Sequence, residues 1–376
     1  SDSMADSNLK EYYDHDLYKH VKDIKDSESV GFTFVNTQKT VFFPYNNVPL
    51  KAGEIKANVL YSGLCATDHH KCRGMYGPPQ LPQSPGHEII AEVAEVGSDV
   101  KDFKKGDKVA FGTMRFNCGK CEYCLMDREP LCVDKSGEEK YTYGYHWGGY
   151  STHIVQPASH FFKVSDKLKL DLASPLLCAG VTVWVPIIKY VKPGMKTAVI
   201  GVGGLGHIAV QILSKLGCEV TAVTTSLDKE DLLKKLGATY VLNSKDPEQL
   251  AKCDSKFNFI INTVHLASVF HQTISLTARA GTYCLVGLGD QSDLLSFKWR
   301  DLVVKDVAIV GSLVGSRSAV REMLEFCAEK DVYPMVETFS FEDFGKALDK
   351  LEHGKPLFRC QVDVGSYSKK TGKWIN

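Results

Sequence analysis

A two-part α/β fold is predicted by three features of this 376-residue sequence. Residues 31–160 read as short strands with turn punctuation. After about residue 172 the pattern changes to alternating strands and helices, the mark of a doubly wound parallel sheet. Near the end, helix-like segments are followed by one more strand, so the chain is expected to return to its first part. These features give a β-rich domain over 5–172 and 317–376, interrupted by a doubly wound domain over 173–316.

The elements follow in order. "VGFTFV", "EIKANVLYSG", "EIIAEVAEVG", "DKVAFG" and "STHIVQ" mix β-branched residues with alternating polar ones and read as strands. Gly and Pro clusters such as "RGMYGPPQLPQSPG" separate them. "KTAVIGV" is a strand, and "LGHIAVQILSKLG" a helix with Leu205, Ile208, Ile212 and Leu216 on one face. Strand "EVTAVTT", helix "KEDLLKKLGA", strands "YVLNS" and "FNFIINTV", helix "SVFHQTISLTA" and strand "GTYCLVGLG" come next, and "DVAIVGSLVG" closes the run. "SRSAVREMLEFCAEKD" and "DFGKALDKLEHG" are helical, and "FRCQVDV" is the last strand.

Composition narrows the functions. Lys plus Arg and Asp plus Glu balance at 45 each and the pI is near 7.1, so no nucleic-acid or membrane-surface partner is expected. No apolar run approaches the ~18 residues of a transmembrane candidate. The start, "SDSMADSNLK", has no apolar core of a secretory signal, and its "SDS" reads as an added remnant and is set aside. Twelve cysteines without such a signal point to a reducing, cytoplasmic setting. Six of them (Cys72, Cys218, Cys253, Cys284, Cys327, Cys360) are isolated and read as packed, inert thiols.

"GVGGLG", residues 201–206, follows an apolar strand and opens an amphipathic helix. A bare Gly-rich turn is weak evidence, but in this context it reads as a dinucleotide site. Gly201 permits the tight turn, Gly203 lets backbone approach a pyrophosphate, and Gly206 allows close helix packing. Gly204 and Leu205, in the same turn, count as cofactor-binding too. An NAD site would place an acid about 20 residues on. Here "VTTSLDK" puts Thr224, Thr225 and Ser226 there, leaving room for a 2′-phosphate that Lys229 would neutralise, so NADP(H) is expected. Asp228 dissents, because a carboxylate would repel that phosphate.

Cys118, Cys121, Cys124 and Cys132 have the spacing of a closed four-thiolate zinc site. Four thiolates over-neutralise the dication and leave no open corner, so such an ion fixes a loop. An open site needs three protein ligands; the candidates are Cys65 in "GLCATDHH", His87 in "SPGHEII" and Cys178 in "PLLCAGVTV". Taken alone, a lone Cys or His more often packs or hydrogen-bonds. Spacing alone does not join three residues that are 22 and then 91 positions apart.

A resemblance joins them. "GLCATD", "PGHEIIAEVAEVG", "CGKCEYC…C", "GGYSTHIV", "PLLCAGVTVW", "GVGGLGHIAVQ" and "GSLVGS" resemble, in that order, the motifs of zinc-dependent medium-chain alcohol dehydrogenases, most of all the cinnamyl alcohol dehydrogenase branch. The resemblance runs over about residues 30–365. It implies a GroES-like β-rich catalytic domain with a Rossmann domain, and two zinc ions per chain. It implies that Cys65, His87 and Cys178 hold the catalytic zinc, with Glu88 close enough to ligate it transiently. NADPH would lie near Thr182, the "VGLG" segment with Val286 and Gly287, and the "GSLVGS" segment with Ser312. Thr67 matches the hydroxyl that passes a proton to the product, and His70 the histidine that exchanges it with solvent; His69 has no such match and reads as a surface residue.

The resemblance therefore implies transfer of a hydride between NADP(H) and a small alcohol or aldehyde, in a homodimer formed through edge strands near "DVAIVGSLV". The sequence also departs from the family. Ala66 follows Cys65 where His or Gly is usual, and Met75 stands near the place of an acid that assists the relay histidine. Leu313 and Val314 replace a common aromatic, which points to aliphatic or mixed aldehydes. Two rival readings stay open: conjugate reduction of C=C or iminium bonds, and a non-catalytic cofactor-binding scaffold.

Overall fold

A computed structural model of the chain describes residues 27–46, 49–144, 147–289, 294–354 and 356–375. The opening residues 1–26, including the set-aside "SDS" and the start of the first domain, lie outside these. The chain divides into two compact units, Ser1–Cys178 with Met335–Asn376, and Ala179–Pro334.

In the first unit, β1 (Ser29–Phe34) and β2 (Thr40–Tyr45) form an antiparallel pair. A larger sheet contains β3 (Glu54–Leu64), β4 (Ile89–Val96), β5 (Lys108–Phe111), β6 (His153–Pro157) and β7 (Phe161–Lys163). The chain's last two strands, β14 (Val336–Ser340) and β15 (Arg359–Asp363), complete it in the order β14-β15-β3-β4-β5-β7, with β6 also on β3. Alternation sets its core: Ile55, Ala57 and Val59 on β3 are fully buried with Ile89, Ala91 and Val93 on β4. Each buried Val or Ile side chain here contributes about 1.5–3 kcal/mol. Helices α11 (Phe344–Glu352) and α12 (Val364–Thr371) close over the sheet, and Phe344 stacks on Phe32 at 4.1 Å.

The register of this sheet brings distant residues together. Ser62 on β3 faces Ile89 on β4, and the Gly63 N–H donates to the Glu88 carbonyl at 2.9 Å. The end of β3, carrying Cys65, therefore lies beside His87 and Glu88. On the other side Leu64 pairs with Cys360, which brings Arg359 alongside. A 3₁₀ turn, Ser174–Leu177, packs on β3, β4 and β15 and ends at Cys178; its Ser174 hydroxyl donates to Gln361 at 2.8 Å.

In the second unit, β8 (Lys196–Ile200), β9 (Glu219–Thr224), β10 (Tyr240–Asn243), β11 (Phe257–Asn262), β12 (Thr277–Leu285) and β13 (Ala308–Gly311) form one parallel sheet. Its order, β10-β9-β8-β11-β12-β13, is the 3-2-1-4-5-6 arrangement of a Rossmann domain, reversing between β8 and β11. Near-continuous apolar strands such as "TAVI" and "FIIN" are buried on both faces, as a helix-covered parallel sheet requires. The α/β architecture expected from the sequence is thus present in both parts.

Several local readings change. Helix α5 (Gly206–Lys215), expected to bury one stripe, buries every residue from Gly206 to Leu213, because α4 (Ala179–Tyr190) packs on it as well as β8 and β9. The helix expected through Ala278 ends earlier: α8 spans Ala267–Thr273, a 3₁₀ turn follows, and β12 begins at Thr277. Helix α10 (Arg317–Lys330), placed by periodicity in the first domain, packs on α4 within the second unit. Its buried Val320, Met323, Leu324 and Cys327 form an i, i+3, i+4, i+7 stripe, and such a stripe does not reveal which partner it meets.

Candidate functional site

Two clusters of metal-ligating side chains stand out among the described residues, and both lie in the first unit. In the first, one ligand atom each from Cys118, Cys121, Cys124 and Cys132 lies within 4.8 Å of all the others. The Cys121 and Cys124 sulfurs are 3.5 Å apart and those of Cys118 and Cys124 3.9 Å. Four sulfurs around a zinc at its usual bond length sit about 3.8 Å apart. The loop thus already has the spacing of an ion-filled site. Backbone N–H groups point at the sulfurs, Cys121 donating to Cys118 at 3.3 Å and Cys118 to Cys132 at 3.4 Å. N–H groups of Cys124 and Val133 hold the Cys121 thiol down at about 6, the ionised form a metal needs.

The second cluster is Cys65, His87, Glu88 and Cys178. Cys65 follows β3 and caps α1 (Ala66–Cys72), His87 and Glu88 lead into β4, and Cys178 follows the 3₁₀ turn. The buried Asp68 carboxylate accepts from His87 Nδ1 at 2.8 Å, from the Gly86 N–H at 2.9 Å and from the Tyr150 hydroxyl at 3.1 Å. That leaves His87 Nε2 buried with no protein partner. An orphaned imidazole nitrogen among two thiols, oriented by a carboxylate on its far side, is the arrangement of a metal-binding histidine. The Cys178 thiol, then His87, holds Cys65 well below an ordinary thiol. Burial pulls His87 down, but Asp68 and Cys65 outweigh it and hold it above an ordinary histidine. A dication would displace that proton.

Glu88 is fully buried and pairs with Arg359; burial pushes its carboxyl up to about 7 although the guanidinium opposes this. The second carboxylate oxygen has no partner, and a Cβ at Gly63 would lie 2.0 Å from it, so only glycine fits there. Thr67 and His70 are half-buried on α1, and His70 Nδ1 lies 3.3 Å from the Tyr76 hydroxyl. His69, expected at the surface, is only 7% exposed, because α1 turns that side inward.

In the second unit, Gly201 has φ +82° and a Cβ there would meet Val264 Cγ2 at 2.4 Å, so the tight turn requires glycine. Gly206 is confined both by the Gly201 carbonyl of the turn and by Val199 of β8, whose Cγ1 would lie 3.2 Å from a Cβ there. Gly203 faces open space, with no heavy atom within 4 Å of where a Cβ would stand. Gly204 and Leu205 complete the turn, Leu205 as the residue before α5. Gly287 lines a cavity of about 170 Å³ with Asn262, Val264 and Leu285. The Val286 and Ser312 N–H groups bond to the Asn262 and Leu285 carbonyls, so both follow strand ends of the sheet. Thr182 is half-buried on α4. Thr224 ends β9, Thr225 is exposed, and the Ser226 hydroxyl donates to Asp228 at 3.1 Å; Lys229 precedes α6 (Glu230–Lys235).

Asp68, Arg359 and Tyr76 had no assigned role on sequence alone. Asp68 carried a usable signal, an acid one helical turn from a candidate ligand, since ligating histidines nearly always have a carboxylate or carbonyl behind them. Arg359 carried none, because only strand register brings it to Glu88.

Comparison with known proteins identifies the family of both parts of the chain. The family described as "Zinc-binding dehydrogenase" matches residues 204–329, and "Alcohol dehydrogenase GroES-like domain" matches residues 51–166. Aldehyde reductase AdhA of Synechocystis sp. is 36% identical over 328 residues, covering 87% of this chain and 95% of that protein. Among solved structures, a cinnamyl alcohol dehydrogenase of Sorghum bicolor is 29% identical with a TM-score of 0.82, covering 89% of this chain and 98% of that one. CAD from Helicobacter pylori, complexed with NADP(H), is 29% identical with a TM-score of 0.79, covering the same shares.

Proposed function

The chain belongs to the zinc-binding medium-chain alcohol dehydrogenase family, and from that premise we propose that it is an NADP(H)-dependent alcohol dehydrogenase working as an aldehyde reductase. The supporting observation is the donor set Cys65, His87 and Cys178, with the His87 Nε2 unpartnered and Asp68 holding its other nitrogen. Those three residues would hold a catalytic zinc with one corner open, and Cys118, Cys121, Cys124 and Cys132 a structural one. When bound, zinc supplies a Lewis acid for the carbonyl oxygen, and the nicotinamide supplies the hydride.

The chain's own groups do the rest. Thr67 and His70 are three residues apart on α1 and so share a face. Thr67 passes a proton to the product oxygen and His70 exchanges it with solvent, in a range an imidazole suits. Glu88 stands in the ligand cluster as a reserve oxygen donor. Gly201, Gly203, Gly204, Leu205 and Gly206 cradle the pyrophosphate, while Thr182, Val286, Gly287 and Ser312 border the nicotinamide. Thr224, Thr225, Ser226 and Lys229 receive the 2′-phosphate, which takes the Ser226 hydroxyl from Asp228. NADP(H) in the Helicobacter pylori structure supports this choice. Substrates are primary alcohol and aldehyde pairs, cinnamyl-type or broadly aliphatic and aromatic.

A homodimer is the assembly we favour: β13 is an edge of the parallel sheet, and α9 (Trp299–Lys305), which packs on β12, exposes Trp299, Val303 and Val304. We favour a reducing, cytoplasmic compartment, because six of the cysteines would serve as metal ligands, a use that keeps thiols out of disulfides.

The test is a paired assay of aldehyde-dependent NADPH and NADH oxidation, with zinc counted on the same sample. Faster turnover with NADPH and about two zinc ions per chain are expected. Turnover with NADH alone would remove the phosphate assignment and leave the zinc chemistry standing. In the same sample series, Asp68→Asn is expected to weaken the catalytic zinc about 10- to 100-fold in chelator competition. Unchanged affinity would reduce Asp68 to a packing residue.

A further inference from the structure

We propose that Tyr76 is the solvent-side member of the proton relay, handing protons to His70; this rests on the aldehyde-reductase reading above. The local fold puts the two together. After α1 ends, the Arg73 N–H donates to the His69 carbonyl at 2.7 Å and the Met75 N–H to the His70 carbonyl at 3.0 Å. Gly74 and Gly77, at φ +82° and +103°, reverse the chain, a conformation a side chain would strain. Arg73 anchors the start of this turn through Glu352 at 2.9 Å and the Thr37 carbonyl at 2.8 Å.

The reversal lays Tyr76 against His70, with ring centroids 5.9 Å apart at 79° and the hydroxyl 3.3 Å from Nδ1. His69, 7% exposed, meets His70 edge-on at 4.3 Å and 88°. The His70 ring is thus held by two aromatic neighbours, one of which carries a hydroxyl. Tyr76 is 41% exposed, so the same hydroxyl can exchange with water. Nδ1 is the nitrogen on the Tyr76 side, and Nε2 lies on the opposite edge of the ring.

The proton balance is complete. As Thr67 gives its proton to the product oxygen, the His70 Nε2–H bond breaks and Thr67 regains a proton. Nδ1–H forms as the Tyr76 O–H bond breaks, and Tyr76 recovers its proton from water. One solvent proton enters per aldehyde reduced, and solvent exchange restores the tautomer between turnovers. Tyr76 acts through His70 and is a positioning residue rather than a catalytic one.

The experiment uses the zinc-loaded Tyr76→Phe protein, which keeps the ring and loses the hydroxyl. In dilute, bulky buffer, kcat for aldehyde reduction is expected to fall about three- to tenfold, with KM for the aldehyde unchanged and a larger solvent deuterium isotope effect. Added imidazole is expected to restore kcat, while zinc content and Tm stay at wild-type values. Wild-type kcat and isotope effect at every buffer concentration would overturn the proposal, as would a loss that imidazole leaves unrepaired. The wild-type control separates the two levels. If wild-type protein oxidises no NADPH with aldehyde, the parent reading fails and this one with it; if it does and Tyr76→Phe behaves identically, this one fails alone.

Discussion

A Cys65→Ala variant is expected to lose about four orders of magnitude in kcat/KM for aldehyde reduction and to retain about one zinc ion per chain. Cys178 and His87 hold the Cys65 thiol well below the ordinary range, toward the ionised form that ligates a metal. Removing it leaves one thiol and one imidazole, with the Glu88 carboxylate already engaged by Arg359, and so falls short of the three committed protein ligands an open zinc site uses. Lewis-acid stabilisation of a developing alkoxide is worth several kcal/mol, and each 1.4 kcal/mol is roughly tenfold in rate. The remaining ion should sit in the four-cysteine loop, whose sulfurs share no residue with the lost site. Metal analysis and steady-state kinetics on one preparation check both halves. Retention of two zinc ions with lost activity would mean that Cys65 acts in some way other than as a ligand.

An Arg359→Ala variant is expected to be less stable by about 3–5 kcal/mol, read from urea or guanidinium unfolding of zinc-loaded protein. Glu88 is fully buried and Arg359 is 6% exposed, so the carboxylate would lose the guanidinium it pairs with where water does not reach. Breaking one half of a buried pair is costly because the other half stays behind uncompensated. The double variant Glu88→Gln with Arg359→Met is therefore expected to recover much of the loss. A single variant within about 0.5 kcal/mol of wild type would show that the pair holds nothing in place.

The Rossmann part was legible because its signals are local. A parallel strand buried on both faces is a run of apolar residues, and a phosphate turn needs glycines at fixed offsets whatever surrounds it. The four-cysteine loop was legible for the same reason, since all of its candidate ligands fall within residues 118–132. Helix α10 was harder, because an apolar stripe reports that a face is buried and not which unit buries it. His69 was misplaced at the surface because an imidazole next to two polar residues carries no periodicity of its own.

By itself the sequence determined the class of fold, the tight glycine turn and the four-cysteine cluster, because each follows from backbone sterics and residue spacing within a short stretch. Only the tertiary structure decided that Cys65, His87, Glu88 and Cys178 share one cluster, that Asp68 orients the histidine, and that Arg359 faces Glu88. The physical reason is register. Antiparallel pairing of β3 with β4 and with β15 sets residues side by side at about 4.5–5.5 Å, whatever their separation along the chain.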